Sequence, residues 1–274
     1  MKTLEGRVAV VTGASSGIGL AVAAEFARQG MSVVIASQNA ERLAKAEEQI
    51  SSMGAPVLAV PTDVEDRGAV ERLASATLDR FGAVHVLVNN AGVYAPGYAW
   101  EISDDDWEWV VGVNLWGTVY GIKAFMPHLL AQEEAHVVNV ASAGGLMTAP
   151  CHGPYAATKH AIVGLSKGLR AEFAIKQARV GITLVCPGGV ATNITSQMQT
   201  TGPGGRPREG PALAPEVQAL WDGIDGAVDA GISPDAVGPM VSEAILADRF
   251  WVLPNAECFF DVFDREMSDL KAGA

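Results

Sequence analysis

A tyrosine and a lysine stand four positions apart in Tyr155-Ala156-Ala157-Thr158-Lys159, and a short apolar run upstream ends at Ser142. On a helix, positions i and i+4 share one face about a turn apart. A neighbouring ammonium favours the ionised phenol and draws its pKa down from about 10 toward the working range of a general acid/base. A serine hydroxyl close by can bind the oxygen that gains or loses the proton. These three residue types together suit proton transfer on and off a carbonyl or alcohol oxygen.

A proton moved in this way has a natural companion in a hydride, and the N-terminal segment carries a signature for binding a hydride carrier. Thr12-Gly13-Ala14-Ser15-Ser16-Gly17-Ile18-Gly19 joins an apolar run to an amphipathic one. Gly13, Gly17 and Gly19 let the backbone approach a pyrophosphate. Ser15, Ser16 and Ile18 stand at the start of the helix, where free N–H groups and the positive dipole end favour an anion. The spacing is G-x-x-x-G-x-G rather than the commoner G-x-G-x-x-G.

The second apolar run ends Ile35-Ala36-Ser37-Gln38-Asn39. NAD binders commonly carry an acidic residue here, about 20 positions past the glycines, to bond the ribose hydroxyls. Ser37 occupies that place, and Gln38 follows where an arginine would clamp a 2′-phosphate. The missing repulsive carboxylate favours NADP(H), with NAD(H) still open. Asp63-Val64 after the third run is suited to the adenine amino group. In Asn89-Asn90-Ala91-Gly92 the small residues let the chain pass beside a cofactor; Asn90 is the candidate contact and Asn89 the candidate loop tie.

The elements that must position these groups alternate. Strands are expected at Val8–Val11, Ser32–Ala36, Val57–Val60, Val84–Val88, His136–Val140, Gly181–Val185 and Phe250–Leu253. Helices are expected at Ile18–Gln29, Ala40–Met53, Glu65–Phe81, Asp104–Leu130 and Tyr155–Ala174. Continuous apolar strands separated by amphipathic helices imply an α/β fold with a doubly wound parallel sheet in three α/β/α layers. The ligand crevice then lies at the carboxyl ends of the strands. The whole chain, 1–274, reads as one domain. The stretch from Asn193 to Pro234 reads as loop-like, with Gly202-Pro203-Gly204-Gly205-Arg206-Pro207 at its centre, and is expected to form a substrate lid. A C-terminal tail, about 255–274, sets Phe259, Phe263, Met267 and Leu270 at helical spacing, for packing on the body or on a neighbouring subunit.

With these pieces assembled, the chain resembles the short-chain dehydrogenase/reductase family from about Leu4 to Leu253. The likeness rests on Thr12-Gly13 through Gly19, Asp63, Asn89 to Gly92, Asn114, Ser142, Tyr155 with Lys159, and Pro187-Gly188 followed by Thr192. It implies a Rossmann fold and a set of roles. Tyr155 is the general acid in carbonyl reduction and the base in alcohol oxidation. Ser142 bonds the substrate oxygen. Lys159 lowers the tyrosine pKa and bonds the nicotinamide ribose. Asn114 holds a water linking Lys159 to solvent. Pro187, Gly188, Val190 and Thr192 border the nicotinamide. The resemblance also suggests a homotetramer or dimer built through the helices around Asp104–Leu130 and Tyr155–Ala174, where Trp107, Trp109 and Trp116 offer large apolar surfaces.

Three segments are expected to wall the substrate pocket: Val93–Trp100, Gly144–Pro154 and the lid. Tyr94, Leu146, Cys151 and His152 are the candidate substrate contacts, with Tyr98, Trp100, Met147, Met198 and Trp221 beside them. Few charges accompany these bulky groups, although Arg206 and Arg208 sit in the lid. The expected substrate is therefore a neutral, fairly hydrophobic ketone, aldehyde or secondary alcohol. The rival reading keeps the fold without turnover, as a nucleotide-binding regulatory or scaffolding protein.

Composition excludes other classes. A formal net charge of -12 disfavours nucleic acid and anionic membrane as partners. An apolar share of 49% over 274 residues is enough for one large core. The 3 cysteines are scattered and the 5 histidines lack metal spacing. Reduced thiols, an N-terminal apolar segment too short for a signal peptide, and no run approaching the ~20 residues that span a bilayer point to the cytoplasm.

Overall fold

The computed structural model describes residues 1–195, 201–205, 213–255 and 260–273. Seven parallel strands form one sheet in the order β3-β2-β1-β4-β5-β6-β7. They are β1 (Val8–Thr12), β2 (Ser32–Ser37), β3 (Val57–Pro61), β4 (Val86–Asn89), β5 (Ala135–Val140), β6 (Val180–Val185) and β7 (Trp251–Val252). Every residue of β1, β4 and β5 is buried, as expected for β-branched strands covered on both faces. The strand order reverses between β1 and β4, which opens a crevice at their carboxyl ends.

Two cores lie against the sheet, one on each face. Helices α1 (Gly17–Arg28) and α2 (Ala40–Ser51) cover one side. Their core joins Val22, Phe26, Leu43 and Ile50 to Val237 and Val241 of a later helix, Pro234–Leu246. The other side carries α3 (Arg67–Phe81), the joined helices α4 (Asp104–Val110) and α5 (Gly117–Leu130), and α6 (Gly153–Lys176). Leu73, Val110, Phe125, Ile162 and Phe173 fill that core.

The expected Asp104–Leu130 helix is present with one interruption. Val111–Trp116 forms a π-helical turn, and the Gly117 N–H bonds the Gly112 oxygen. The extra residue turns Asn114 inward to complete burial, whereas Trp116 remains 49% exposed. Of the three tryptophans on this helix, offered for a subunit contact or for core packing, Trp109 belongs to the core.

The segment expected to be loop-like between Asn193 and Pro234 holds a helix, and this corrects the sequence reading. Helix α7 (Pro215–Asp229) starts with proline in its first turn, the one helical location where a missing N–H costs nothing. Val217, Leu220, Trp221, Ile224 and Val228 recur at helical spacing. Gly223 and Gly226 dilute helix propensity and mask that pattern. Helix α8 (Pro234–Leu246) follows, and α9 (Phe260–Ala272) ends the chain. On α9, Met267 and Leu270 are exposed rather than packed on the body. Phe259, Met198, Arg206 and Arg208 lie outside the described residues. No described helix is long and apolar enough to cross a membrane.

Candidate active site

The glycine-rich turn after β1 shows why glycine is needed there. Gly13 and Gly17 adopt φ of +65° and +56°. A Cβ on Gly13 would lie 2.8 Å from the Ala91 Cα, and one on Gly17 would lie 3.1 Å from the Thr192 methyl. A Cβ on Gly19 would strike the Asn90 amide and the Gly13 oxygen. Gly19 is thus a packing residue beneath the turn. Ser16 caps α1 without a side-chain bond to its first N–H groups, leaving these donors available to an anion.

One cavity of about 830 Å³ extends from this turn along the carboxyl ends of the strands. Gly13, Ser15, Ser16, Gly17 and Ile18 line one end, with Ser37, Gln38, Asp63 and Val64. Asn90, Ala91 and Gly92 line its middle. Ser142, Tyr155 and Lys159 face Pro187, Gly188, Val190 and Thr192 at the far end. A pocket of this length, with glycine backbone at its phosphate end and free helix N–H groups, fits a dinucleotide.

The loops that shape the cavity are tied by hydrogen bonds. The Thr12 hydroxyl donates to the Val88 oxygen at 3.3 Å and accepts from the Asn90 and Ala91 N–H groups at 3.0 and 3.2 Å. The Asn90 amide donates to the Thr12 and Gly13 oxygens at 2.9 and 3.2 Å, so the expected cofactor contact also holds the glycine turn in place. Asn89 acts as a tie, donating to the Asn139 side chain at 2.9 Å, and Asn139 donates in turn to Ser166 of α6. At the adenosine end the Ser15 and Ser37 hydroxyls are 2.8 Å apart, and Gln38 donates to Asp63 at 3.2 Å. Arg42 lines this end too. The sequence reading passed over it because it stands on α2, one turn beyond the loop where a phosphate clamp was sought.

The reacting end is assembled from β5, the turn after it, and α6. Ser142 caps a 3-10 turn, Ala143–Gly145, its hydroxyl accepting from the Gly144 N–H at 3.1 Å. A Cβ on Gly145 would fall 2.6 Å from the Lys159 oxygen, so glycine lets this turn lie directly on α6. Tyr155 and Lys159 occupy the first two turns of α6. The Lys159 ammonium donates to the Val140 oxygen at 3.0 Å and lies 5.6 Å from the Tyr155 ring centroid.

The electrostatics differ from the simple expectation of an ammonium acidifying a phenol. Burial pushes the Tyr155 phenol above its ordinary value, and the neighbouring Ser142 hydroxyl works in the opposite direction. Lys159 is itself buried, which pushes its pKa down to about 8 and weakens its hold on the proton. The Cys186 thiol is buried in the same neighbourhood and pushed up to about 12.

Asn114, buried in the π turn, bonds protein on both sides of its amide. Its oxygen accepts from the Val93 N–H at 2.8 Å, and its nitrogen donates to the Val93 oxygen at 2.9 Å and the Thr158 hydroxyl at 3.1 Å. A Cβ on Gly92 would sit 3.4 Å from Lys159 Nζ and 3.5 Å from Asn114 Oδ1, so glycine keeps the space between those two groups clear.

The cavity beside Tyr155 is aromatic. Tyr94 packs on Tyr155, Trp221 and His152 with ring centroids 4.8, 4.7 and 5.2 Å away. Helix α7 adds Leu220, Trp221, Ile224 and Val228 to the wall, and Met147 lines the same cavity. Leu146 packs against the core, and Cys151 contributes its main-chain oxygen, which accepts from the Tyr94 hydroxyl at 3.1 Å. Tyr98 and Trp100 stack at 4.9 Å at the surface, and the Tyr98 hydroxyl donates to Glu216 of α7 at 3.3 Å. This bond ties the 93–100 segment to α7. Among the described residues no group of three or more His, Cys, Asp or Glu side chains could hold a metal ion.

Comparison with known proteins agrees with this geometry. The family model described as short chain dehydrogenase matches residues 7–202. A 1-deoxy-11-beta-hydroxypentalenate dehydrogenase of Streptomyces exfoliatus is 35% identical over 257 residues, covering 93% of this chain and 85% of that protein. A short chain dehydrogenase/reductase of Burkholderia phymatum, solved in complex with NAD, superposes with a TM-score of 0.93 at 36% identity and covers 100% of this chain and 97% of its own. An alcohol dehydrogenase of the archaeon Thermococcus sibiricus, solved with 5-hydroxy-NADP, gives 0.73 at 25% identity over 92% of this chain and 97% of that one. With its seven-stranded parallel sheet and a family match spanning the cavity from Gly13 to Thr192, the chain belongs to the short-chain dehydrogenase/reductase family of oxidoreductases.

Proposed function

We propose that this chain interconverts a neutral, hydrophobic, fairly bulky ketone or aldehyde with the corresponding alcohol, as a carbonyl reductase or alcohol dehydrogenase dependent on NAD(P). The observation that carries the reading is the convergence of Ser142, Tyr155 and Lys159 on one cavity with the glycine-rich turn. When bound there, a nicotinamide dinucleotide supplies or accepts the hydride. Ser142 holds the substrate oxygen against the phenol. In reduction Tyr155 gives its proton to that oxygen, and in oxidation it takes the proton back. Lys159, fixed on Val140, lends its charge to the phenolate and bonds the nicotinamide ribose. The Asn114 neighbourhood connects Lys159 to solvent.

NADP(H) is the favoured cofactor. Ser37 places no carboxylate beside a 2′-phosphate, and Arg42 supplies a cation at the same end of the cavity. The aromatic and aliphatic lining of Tyr94, Trp221, Leu220 and Ile224 supports a hydrophobic substrate. A homodimer or homotetramer accords with the exposed Trp116, stacked on Tyr120 at 5.6 Å. A single domain in the cytoplasm accords with free thiols at Cys151 and Cys186.

A panel of ketones and alcohols, followed by absorbance with both reduced and both oxidised dinucleotides, tests the reading. Turnover of bulky neutral ketones with NADPH is the expected result. Activity confined to sugar phosphates or acyl-carrier thioesters would overturn the substrate class, and NADH binding at least tenfold tighter than NADPH would overturn the cofactor preference.

A further inference from the structure

His152 is the last residue before α6, three positions ahead of Tyr155, and a sharp turn delivers it. Cys151 takes φ +64°, reversing the chain. Gly153 passes so close to Trp107 that a Cβ there would lie 3.3 Å from the indole. The ring that results stands edge-on to Tyr94, with an interplanar angle of 89°, and its centroid is 6.5 Å from that of Tyr155.

The tautomer of this imidazole is fixed by its partner. Nδ1 is 2.9 Å from the Pro150 oxygen, and a carbonyl can only accept, so Nδ1 carries the hydrogen. Nε2 is then a lone-pair acceptor on a ring that lines the cavity. Burial lowers the pKa of His152, outweighing the opposing pull of the Pro150 bond, and so favours the neutral ring. Neighbouring hydroxyls are already committed: Tyr94 donates to the Cys151 oxygen and Thr148 to the Ala149 oxygen. Met147, Leu220 and Ile224 line the same cavity, with Thr148 and Asn193 among its polar groups.

We infer that His152 Nε2 accepts a hydrogen bond from a hydroxyl of the substrate beside the reacting carbonyl, so that the site selects hydroxyketones and their diols over simple ketones. The His152 and Tyr155 ring centroids are 6.5 Å apart, so the proposed substrate, its carbonyl oxygen on Ser142 and Tyr155, presents an O–H on the adjoining carbon toward His152. The inference rests on the carbonyl-reduction reading above and deepens it from a neutral hydrophobic ketone to one bearing a hydrogen-bond donor. A site that bonds a substrate hydroxyl discriminates against the analogue that lacks it, because the bound analogue shuts water away from the half-buried acceptor without pairing it.

Three aryl ketones separate the alternatives: acetophenone, 2-hydroxyacetophenone and 2-methoxyacetophenone. The last keeps the added oxygen and removes its hydrogen. In the wild-type enzyme, kcat/KM for the hydroxyketone is expected to exceed that for both others at least tenfold. His152→Phe keeps a ring against Tyr94 and removes the acceptor; the ratio between hydroxyketone and parent ketone is then expected to fall below threefold. Wild-type values within threefold for all three ketones would overturn the inference without any variant, as would a His152→Phe enzyme that keeps the full preference. Turnover without hydroxyl preference overturns the inference alone. No turnover of any ketone with either reduced dinucleotide overturns it together with the reading beneath it.

Discussion

Lys159 reaches back from α6 to the last residue of β5, its ammonium donating to the Val140 oxygen at 3.0 Å. Two residues beyond Val140 stands Ser142, so this one bond sets the cation and the serine in a fixed relation. Tyr155, one turn earlier on the same helix, is oriented by the same anchor. The geometry gives the three side chains a common frame before any ligand enters.

Removing the phenol hydroxyl with Tyr155→Phe should lower kcat by about 10²–10⁴-fold, the usual contribution of a positioned acid/base. Dinucleotide affinity, read by quenching of protein fluorescence, should change far less than turnover. A folded variant with more than a few per cent of wild-type turnover would remove Tyr155 from its role.

At the adenosine end, Ser37→Asp introduces a carboxylate where the Ser15 and Ser37 hydroxyls now face each other at 2.8 Å. Like charges brought together cost several kcal/mol. NADPH affinity should therefore fall by roughly tenfold or more, while NADH affinity holds or rises. Calorimetric titration with each dinucleotide checks this, and parallel losses for both would show that position 37 does not select between them.

Asn114 is expected to matter for stability as well as for proton movement. Asn114→Ala would strip partners from the Val93 N–H and the Val93 oxygen, while the Thr158 hydroxyl keeps its bond to the Tyr155 oxygen. Each buried group left unpaired costs about 1–3 kcal/mol. The midpoint of urea unfolding should drop accordingly, by the equivalent of at least ~2 kcal/mol. An unchanged midpoint would mean that solvent replaces the amide without loss.

Glu65 sits against Gly112 of the π turn. Burial and the nearby Asp63 raise its carboxyl from 4.5 to about 7. Because the folded-state value is the higher one, the protonated form favours the native state. Its contribution is complete below pH 4.5 and disappears as the pH climbs through about 7. Glu65→Gln mimics the neutral acid, so its Tm should exceed that of the wild type at pH 8, and the difference should shrink toward zero near pH 4.5. The opposite trend would contradict the assignment.

Much of this site is legible in the sequence because the chemistry and the periodicity agree. The strands from Val8 to Val185 are runs of β-branched residues, and the glycine turn, Ser142, Tyr155 and Lys159 all fall at strand ends or on the helix after them. Three features escape such a reading. Helix α7 hides its apolar stripe behind Gly223 and Gly226. The π turn leaves no trace in spacing, since one extra residue in a long amphipathic helix looks like ordinary scatter. The sign of the Tyr155 shift depends on how deeply the phenol and ammonium are buried, which pair spacing cannot reveal.

The widened turn at Val111–Trp116 has a consequence for how this protein tolerates insertions and deletions. A straight α-helix advances about 100° per residue. Deleting one of those six residues would let the rod close up into regular winding with its downstream faces kept, whereas deleting one from the regular winding just before the turn would rotate everything downstream by that angle. Thr118, Gly121, Phe125 and Leu129, which now face inward, would swing toward the surface. A missing link is therefore best absorbed inside the widened turn and worst tolerated beside it, while Gly112 and Asn114 within the turn are held to their identities by Glu65 and Val93.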